Sequence, residues 1–286
     1  MTEIPHDSGF AEVADRCWVA RHSWLDLNVG VVGGERGLLV VDSHASAADA
    51  RRVAGWLRAL PGEVVGVVNT HEHFDHTFGN GVLGRDVAVY AHETAAARTV
   101  EAGEAARRSF DPDDPHWADV QATTVVAATH TFSSVRVVDL GDRVVELLHL
   151  GRGHTGGDAV VRVGDAGVTF AGDLVEESGH GSVPGFGDDC YPLEWPATLD
   201  LLISLLGESD VVVPGHGTPV RRAFVEEQRE CVGVVAETVR GLALRGVPVS
   251  QALGSAPWPY PVELLGDAVR RGYAQLPRAG RSLPLA

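Results

Sequence analysis

The sequence predicts an α+β fold in which two similar halves send strand ends to a shared centre. Short valine-rich runs, bounded by Gly, Asp or Asn, have the length and composition of buried strands. Segments with apolar residues at helical spacing lie between some of these runs. In each half a valine-rich strand follows a helix and ends directly in histidine, at residues 64–71 and 210–216. Because sites in α/β sheets are usually built at strand C-terminal ends, we expect these two ends to meet.

The individual elements follow from composition and from the turn residues that bound them. Strands are predicted at 28–34, 37–43, 64–70, 86–92, 135–141, 143–150, 158–164, 167–173 and 210–216. Helices are predicted at 46–60, 192–207 and 223–246. Two segments rich in Gly, Pro and Asp, 100–134 and 174–196, are predicted to be loops or lids. We interpret residues 1–286 as a single domain with a helical C-terminal extension over about 223–286.

Charge and composition exclude several classes of function. Acidic residues outnumber basic residues 39 to 23, and the resulting formal net charge of −16 argues against a nucleic-acid or anionic-membrane binder. The chain contains no lysine, which excludes a mechanism through a lysine Schiff base. We therefore expect a small-molecule substrate and no nucleic-acid or membrane partner. The sequence leaves the oligomeric state open.

Cysteine usage and the N-terminal stretch favour a reducing compartment. Cys17, Cys190 and Cys231 are odd in number and widely spaced, so they do not form a disulfide framework. The stretch MTEIPHDSGF is polar and acidic and lacks the features of a secretory signal. No apolar run approaches the roughly 18 to 20 residues that span a bilayer. We therefore expect a cytoplasmic protein.

One short stretch, THEHFDH, crowds ligand-type side chains directly after a valine-rich strand. It places His71, His73, Asp75 and His76 within six positions. A single histidine at a strand end is ordinarily structural, but four ionisable groups this close repel or cost desolvation unless something binds them. In an extended segment residues i and i+2 point the same way, so His71 and His73 can face one ion. Asp75 and His76 come after the strand and can be directed at a second ion.

Further ligand-type residues follow strands or glycines later in the chain: His154 in GHTGGD, Asp173 in FAGD and His216 in VPGHG. Imidazole and carboxylate together are what zinc-type ions take in catalytic sites. A mononuclear hydrolytic zinc needs three protein ligands, so seven candidates suit two ions that share a carboxylate, at roughly 3.5 to 4 Å separation. The predicted binuclear site comprises His71, His73, Asp75, His76, His154, Asp173 and His216.

In this order along the chain, HEHFDH, GHTGGD, AGD and PGHG resemble the motifs of the metallo-β-lactamase superfamily over roughly residues 15 to 222. The resemblance implies a four-layer αββα sandwich with two zinc-type ions between the sheets. It implies these ligands: His71, His73 and His154 for the first ion, Asp75, His76 and His216 for the second, and Asp173 as a bridge. Asp42, in VVDSHAS, resembles the short first motif, which usually supports the ligand loop.

Departures from particular branches of the superfamily narrow the expected chemistry. Class B β-lactamases usually carry Cys or Ser where this chain has Asp173, and many use a lysine to hold the drug carboxylate. An aspartate there is instead typical of the glyoxalase-II, lactonase and phosphodiesterase branches. Flavodiiron relatives carry glutamate where His73 stands, which argues against diiron electron transfer. The C-terminal region lacks the basic pattern expected of a glutathione-binding tail, which disfavours a strict glyoxalase II.

These features predict a dinuclear zinc-dependent hydrolase in which a metal-bound hydroxide attacks a small ester, lactone, thioester or lactam. Iron and manganese stay open as the bound metals. Asp75, beside the second ion, is the candidate catalytic residue that moves a proton. Two alternatives stay open: a mononuclear iron enzyme similar to persulfide dioxygenases, and a phosphodiesterase of the same fold.

Two residues of the loop after Asp173 are candidates for substrate binding, His180 and Tyr191. Asp158, four residues after His154, has two interpretations: it accepts a hydrogen bond from a ligand histidine, or it caps a loop. The other histidines are scattered along the chain and are interpreted as structural or solvated. The identity of the substrate is not readable from these residues.

Overall fold

A seven-stranded sheet is built from the first half of the chain, in a computed structural model that describes residues 4–178 and 181–277. Its strands are hydrogen-bonded in sequence order: β1 (Ala11–Ala14), β2 (Cys17–Arg21), β3 (Asn28–Gly34), β4 (Gly37–Val41), β5 (Val64–Val68), β6 (Ala88–His92) and β7 (His130–Phe132). The pairs from β1 to β4 are antiparallel, and those from β4 to β7 are parallel. The C-terminal ends of β4 and β5 therefore lie side by side, with Val41 opposite Val68.

The second half of the chain forms a five-stranded sheet in the order β12-β11-β10-β9-β8. Its strands are β8 (Val135–Asp139), β9 (Val144–Leu148), β10 (Val160–Val163), β11 (Val168–Glu176) and β12 (Val211–His216). The strands from β8 to β11 pair antiparallel, whereas β11 and β12 pair parallel. Glu176 pairs with His216 at the end of this ladder, so β11 and β12 deliver their C-terminal residues to the same edge.

Helices cover the outer faces of both sheets. They are α1 (Ala47–Leu57), α2 (Phe74–Thr77), α3 (Asn80–Leu83), α4 (Glu93–Ser109), α5 (Trp117–Ala122), α6 (Trp195–Leu205), α7 (Arg222–Leu244), α8 (Val249–Ala252) and α9 (Gly266–Gln275), with 3₁₀ turns at Leu253–Ser255 and Val262–Leu264. The first of them starts where the Ser46 hydroxyl accepts a hydrogen bond from the Asp49 amide (3.0 Å), an ordinary N-cap.

Three apolar clusters define the layers. One cluster contains inward residues of both sheets, among them Val41 of β4 and Phe170 of β11. A second contains residues of β3 to β6 together with Val53 and Leu57 of α1. A third contains residues of β10 to β12 with residues of α6, α7 and α9, such as Leu199. From one face of the molecule to the other, the layers are helices, a sheet, a second sheet and helices, which is the αββα sandwich. The predicted α+β fold class is therefore confirmed.

The three predicted helices and all nine predicted strands are present, with ends that differ by a few residues. The prediction for 100–134 was wrong, because α4 extends to Ser109 and both α5 and β7 lie in this segment. The Gly, Pro and Asp residues cluster only after Ser109, whereas the stretch before it is rich in Ala, Glu and Arg, which favour helix. The prediction for 174–196 was wrong at its start, because β11 continues to Glu176.

Strands β1 and β2 were not predicted either. The first has only four residues with Glu12 among them, and the second contains a single valine and ends in Arg21, so neither stands out as a valine-rich run. At the other end of the chain, α7 and α9 pack against the second sheet through residues such as Val232 and Ala268. The division of the whole chain into one domain stays a prediction. Within residues 4–178 and 181–277, no helix combines the length and apolar character needed to cross a membrane.

A close approach at Gly79 fixes the turn that follows β5. A Cβ atom on Gly79 would lie 1.8 Å from the carbonyl oxygen of Ser43, which belongs to the loop after β4. The Ser43 amide in turn donates to the carbonyl of His76 (2.9 Å). Only a residue without Cβ therefore lets the short helices α2 and α3 lie this close to the end of β4.

We expect Gly79→Ala to destabilise the protein by about 1 to 3 kcal/mol, since backbone atoms must move to admit the methyl group. Gly55→Ala is the matched control, because no heavy atom lies within 4 Å of a Cβ at Gly55 in α1. That control should be stabilising by up to about 1 kcal/mol, from helix propensity alone. Chemical denaturation measures both changes. Equal stability of the two variants would contradict the close approach.

Two histidines outside the predicted site are buried against each other. The rings of His22 and His44 lie 4.2 Å apart, and His22 also stacks on Trp56. Neither ring nitrogen of His22 has a hydrogen-bond partner among the described residues, and the nearest carboxylate oxygen, from Asp7, is 3.7 Å away. Burial therefore lowers the pKa of His22 to about 3, and it lowers the pKa of His44 equally.

This depressed pKa of His22 predicts acid sensitivity with a defined sign. The unfolded chain takes up a proton at the ordinary pKa near 6.5, whereas the folded chain does so only near 3, so stability is complete above pH 6.5 and falls below it. Between pH 6 and pH 5, the stability of the wild type should fall by about 1 kcal/mol more than that of His22→Phe. Denaturant titrations at both pH values test this. Parallel losses in the two proteins would contradict a neutral buried His22.

Candidate metal centre

The facing edges of the two sheets bring all seven predicted ligands together. His71 and His73 follow β5, whereas Asp75 and His76 lie on the single turn of α2. The other sheet supplies the remaining three: His154 from the loop between β9 and β10, Asp173 from β11 and His216 from the end of β12. Residues more than 140 positions apart thus meet at one place, as the two-halves interpretation predicts.

Four of these side chains form what we call the first group, comprising His71, His73, His154 and Asp173, with one ligand atom of each within 4.8 Å of the others. Nε2 of His154 lies 2.9 Å from Nδ1 of His73 and 3.4 Å from Oδ2 of Asp173. Nε2 of His71 lies 3.7 Å from the same Asp173 oxygen. The three imidazoles therefore direct one nitrogen each toward a common point beside this carboxylate.

Three side chains form the second group, comprising Asp75, His76 and His216. Nε2 of His76 and Nε2 of His216 are 3.3 Å apart, and they lie 3.6 and 3.3 Å from Oδ2 of Asp75. The carboxylate of Asp173 also reaches this group, since its Oδ1 is 3.3 Å from Nε2 of His76. Asp173 therefore stands between the two groups and presents an oxygen to each of them.

Asp173 occupies this place because Gly215 leaves room for it. A Cβ on Gly215 would lie 1.8 Å from Oδ1 of Asp173, so β12 can run beside the carboxylate only where it carries no side chain. The glycine immediately precedes His216, and the same close approach sets that ring against Asp173, with Oδ2 3.4 Å from Nε2.

Each of the five histidines makes a hydrogen bond through its outer ring nitrogen, which is the one that faces away from the centre. Carbonyl groups accept from His154 Nδ1 (Gly185, 2.8 Å) and from His216 Nδ1 (Leu25, 2.8 Å). A carboxylate accepts from His73 Nε2 (Asp189, 3.2 Å). Since these oxygens can only accept, the outer nitrogen carries the proton, and the inner nitrogen keeps its lone pair for a metal.

Asp42 organises the remaining two histidines. Its carboxylate accepts from His76 Nδ1 (2.9 Å), from the Thr70 amide (2.8 Å) and from the Thr70 hydroxyl (2.8 Å). Because the single hydroxyl proton of Thr70 is used in this way, its oxygen is free to accept from His71 Nδ1, 3.1 Å away. Asp42 thus lies behind the ligand loop in the supporting position that the resemblance implies.

Two buried atoms of the kind that coordinate metals indicate that a metal fits here. Nε2 of His71 and Oδ1 of Asp173 are buried and have no hydrogen-bond partner among the described residues. An unpaired polar atom of this kind costs about 1 to 3 kcal/mol, and cations held by the two groups would supply the missing partners. Imidazole nitrogens with carboxylate oxygens are also the donor set that zinc-type ions prefer. These histidine and aspartate groups can therefore bind metal.

The pKa values describe the electrostatics of the protein part alone. Burial lowers the pKa of His154 to about 4 and that of His71 well below its ordinary value. Burial also opposes charge on His76 and His216, but the carboxylates of Asp173 and Asp75 together outweigh it and raise the pKa of both, with a further contribution from Asp42 at His76. Without bound cations, protons on these two histidines therefore balance the negative charge of the carboxylates.

Three other residues were singled out from the sequence: Asp158, Tyr191 and His180. Asp158 accepts from the Gly153 amide (2.9 Å) and from the Thr155 amide and hydroxyl (2.9 and 2.7 Å), so it caps the loop that carries His154. The Tyr191 ring lies between the guanidinium groups of Arg152 and Arg271, at 4.3 and 5.3 Å. His180 lies outside the described residues. Substrate binding by His180 and Tyr191 stays a prediction.

Sequence reasoning missed two acidic residues at the centre. Glu176 ends β11 and could share a metal with Asp173 and His216. Asp189 holds His73. Glu176 is three positions from Asp173, and a correct end for β11 would have placed it in the same strand. Asp189 lies in the pair DD of an irregular loop, and no local pattern connects it with a histidine more than 100 positions earlier.

Comparison with known proteins gives the family. The model of the metallo-beta-lactamase superfamily matches residues 23–216. A metallo-beta-lactamase type 2 from Pseudomonas aeruginosa is 23% identical over 178 residues, which are 62% of this chain and 62% of that protein. The chain thus spans less than two thirds of the length of this curated relative. The chain belongs to the metallo-beta-lactamase superfamily.

Two solved structures share the fold. A metallo-beta-lactamase from Pontibacter korlensis has a TM-score of 0.63 at 19% identity, covering 78% of this chain and 98% of its own. A stereoselective inverting sec-alkylsulfatase from Pseudomonas sp. has a TM-score of 0.74 at 17% identity, covering 93% of this chain and 49% of its own.

The prediction of a metal-dependent hydrolase is confirmed at the level of the class. The chain is a metallo-beta-lactamase superfamily hydrolase whose histidine and aspartate groups can bind metal. The identity of the metal, the number of ions and the reaction of the whole protein are matters for the proposal below.

We expect His216→Ala to weaken metal binding at the second group and not at the first, since it deletes one nitrogen of the second group and none of the first. Metal analysis of the purified variant should therefore find less metal per chain than in the wild type, but not complete loss. His130→Ala, at an exposed position on β7, is the control and should keep the wild-type metal content. Complete loss of metal from His216→Ala would contradict the division into two groups.

Proposed function

We propose that the protein is a dinuclear zinc-dependent hydrolase of a small ester, lactone, thioester or lactam. The observation that carries this proposal is the position of Asp173 between two separate sets of imidazoles. Its Oδ2 lies 3.4 Å from His154 of the first group and 3.4 Å from His216 of the second, and its Oδ1 lies 3.3 Å from His76 of the second. A single ion would leave one set of buried nitrogens without a partner, whereas two ions sharing this carboxylate use both.

The residues that would hold the ions follow from the two groups. His71, His73 and His154 would hold the first ion, Asp75, His76 and His216 the second, and Asp173 would bridge them. When bound, two such ions acidify water and polarise a carbonyl or phosphoryl oxygen. The first ion would have three histidines and Asp173, and the second would have two histidines, Asp75 and Asp173, so neither resembles the closed, sulfur-rich sites that serve structure alone.

Asp75 is the residue that we assign to proton movement. Its side chain is 13% exposed, whereas His76 beside it is fully buried, so an Asp75 oxygen lies nearest the open side of the second group. A carboxylate there can accept a hydrogen bond from the attacking water, orient it, and pass its proton to the leaving group. Asp42, Gly185, Leu25 and Asp189 keep the imidazoles in place meanwhile.

The substrate class rests on what the chain offers and lacks. With no lysine and with an aspartate at position 173, it lacks the features typical of class B β-lactamases. The surplus of acidic residues disfavours polyanionic substrates such as nucleic acids. A small neutral or weakly charged molecule fits best, and a cytoplasmic location accords with the sparse, unpaired cysteines.

The experiment is a substrate screen with metal-quantified protein. Protein carrying about two zinc ions per chain is assayed against nitrocefin, lactones, thioesters and phosphodiesters, with an alkyl sulfate added because the alkylsulfatase covers most of this chain. Hydrolysis of a lactone, ester, thioester or lactam is the expected result. Turnover of the phosphodiester alone would establish the phosphodiesterase alternative. One iron per chain with oxygen consumption would replace the proposal by a persulfide-dioxygenase-like enzyme.

We expect Asp75→Ala to lower kcat/KM of the screened substrate by at least about 100-fold, because it removes the group that moves the proton. The fold should persist, since Asp75 lies on a single helical turn and its ion-pair contacts are with His76 and His216 of the centre. Asp113→Ala, at an exposed position, serves as the control. Unchanged turnover by Asp75→Ala, in protein with an unaltered circular dichroism spectrum, would contradict the assigned role.

A further inference from the structure

One short segment of the loop after β11, residues 185–189, holds two of the three histidines of the first group. The Gly185 carbonyl accepts from His154 Nδ1, and the Asp189 carboxylate accepts from His73 Nε2. The third histidine, His71, is held instead by Thr70 at the end of β5. The geometry of the first group therefore depends on a segment that belongs to neither sheet.

His73 is the histidine that packing holds least. Its side chain is 27% exposed, compared with 1% for His71 and 6% for His154. A ring that is not enclosed can rotate about its side-chain bonds unless a hydrogen bond fixes it. The bond from Nε2 to Asp189 is the contact that supplies this restraint on the outer side of the ring.

Asp189 is itself anchored from a helix. Nη2 of Arg98, on α4, lies 3.6 Å from the Asp189 carboxylate, and Nε of Arg98 lies 2.8 Å from Oε1 of Glu72. Glu72 is fully buried and directly precedes His73. One guanidinium thus lies within ion-pair distance of both Glu72 and Asp189, and its charge attracts the Asp189 carboxylate to the side of His73.

We propose that Asp189 is the positioning residue of His73 and that it couples the loop segment to metal binding at the first group. The carboxylate can only accept, so it keeps the proton on Nε2 and turns Nδ1 toward the ion. Because coupling is reciprocal, an ion bound by the first group stabilises residues 185–189 by the same factor by which that segment strengthens binding. The inference rests on the proposed ligand roles of His71, His73 and His154.

The test measures zinc affinity at each position separately. Competition with a chromophoric chelator gives two dissociation constants for the wild type, and His71→Ala and His216→Ala assign them to the first and second groups. We expect Asp189→Ala to weaken only the first-group constant, by about 10- to 100-fold. Asp189→Asn keeps an accepting oxygen and should recover part of the loss. Asp188→Ala, at the exposed neighbouring aspartate, is the matched control and should change neither constant.

A second measurement addresses the loop directly. Amide hydrogen exchange over residues 185–190 should slow when zinc is added to the wild type and to Asp188→Ala, and should slow much less in Asp189→Ala. An unchanged second-group constant in Asp189→Ala shows that this variant is folded. If Asp189→Ala and Asp188→Ala bind zinc identically, the positioning role is wrong. If the wild type itself binds fewer than two zinc ions, the proposed dinuclear function is wrong. This result is distinguishable from a failure of the positioning role, because it is seen in the wild type and not in a comparison of Asp189→Ala with Asp188→Ala.

Discussion

The carboxylate of Asp173 is the constraint on which the rest of the centre depends. It lies on the central part of β11, buried, and its two oxygens face imidazoles that come from both sheets. A buried carboxylate surrounded by nitrogen atoms is stable only when opposite charge is shared with it, as protons or as cations. The sandwich can close over this charge because both sheets present their strand ends to it, and because Gly215 admits it beside β12.

The orientation of the imidazoles shows how the fold turns a cluster of side chains into a binding site. Two are held through Asp42 and its contact with Thr70, two by main-chain carbonyls, and one by Asp189. Carbonyls and carboxylates accept hydrogen bonds and do not donate, so each outer nitrogen carries a proton and the inner nitrogen is the one available to a metal. Preorganisation of this kind lowers the cost of ordering the ligands when an ion binds.

How far the sequence predicts this molecule varies with the type of feature. Strands such as β5 and β12 were recognisable because fully buried strands are continuous runs of valine. Helix α4 was not predicted, because the Gly, Pro and Asp residues after Ser109 indicated a loop for the whole segment 100–134, although the stretch before Ser109 is rich in alanine. Four ligand candidates could be named because their residue types are costly to crowd into six positions without a function, and His154, Asp173 and His216 because they follow strands or glycines. Asp158 could be assigned as a loop cap only from its contacts.

The sequence by itself determined the main strands and helices and the candidate ligands, since periodicity, turn residues and ligand spacing are local properties of the chain, and the resemblance of its motifs implied the superfamily and the layered fold. The tertiary structure alone decided that Asp189 supports His73 and that Glu176 lies within reach of Asp173 and His216. The reason is physical: a hydrogen bond between residues more than 100 positions apart depends on how loops fold back across the sheets. For Glu176 the sequence offers only its place three positions after Asp173, and for Asp189 no local pattern connects it with His73.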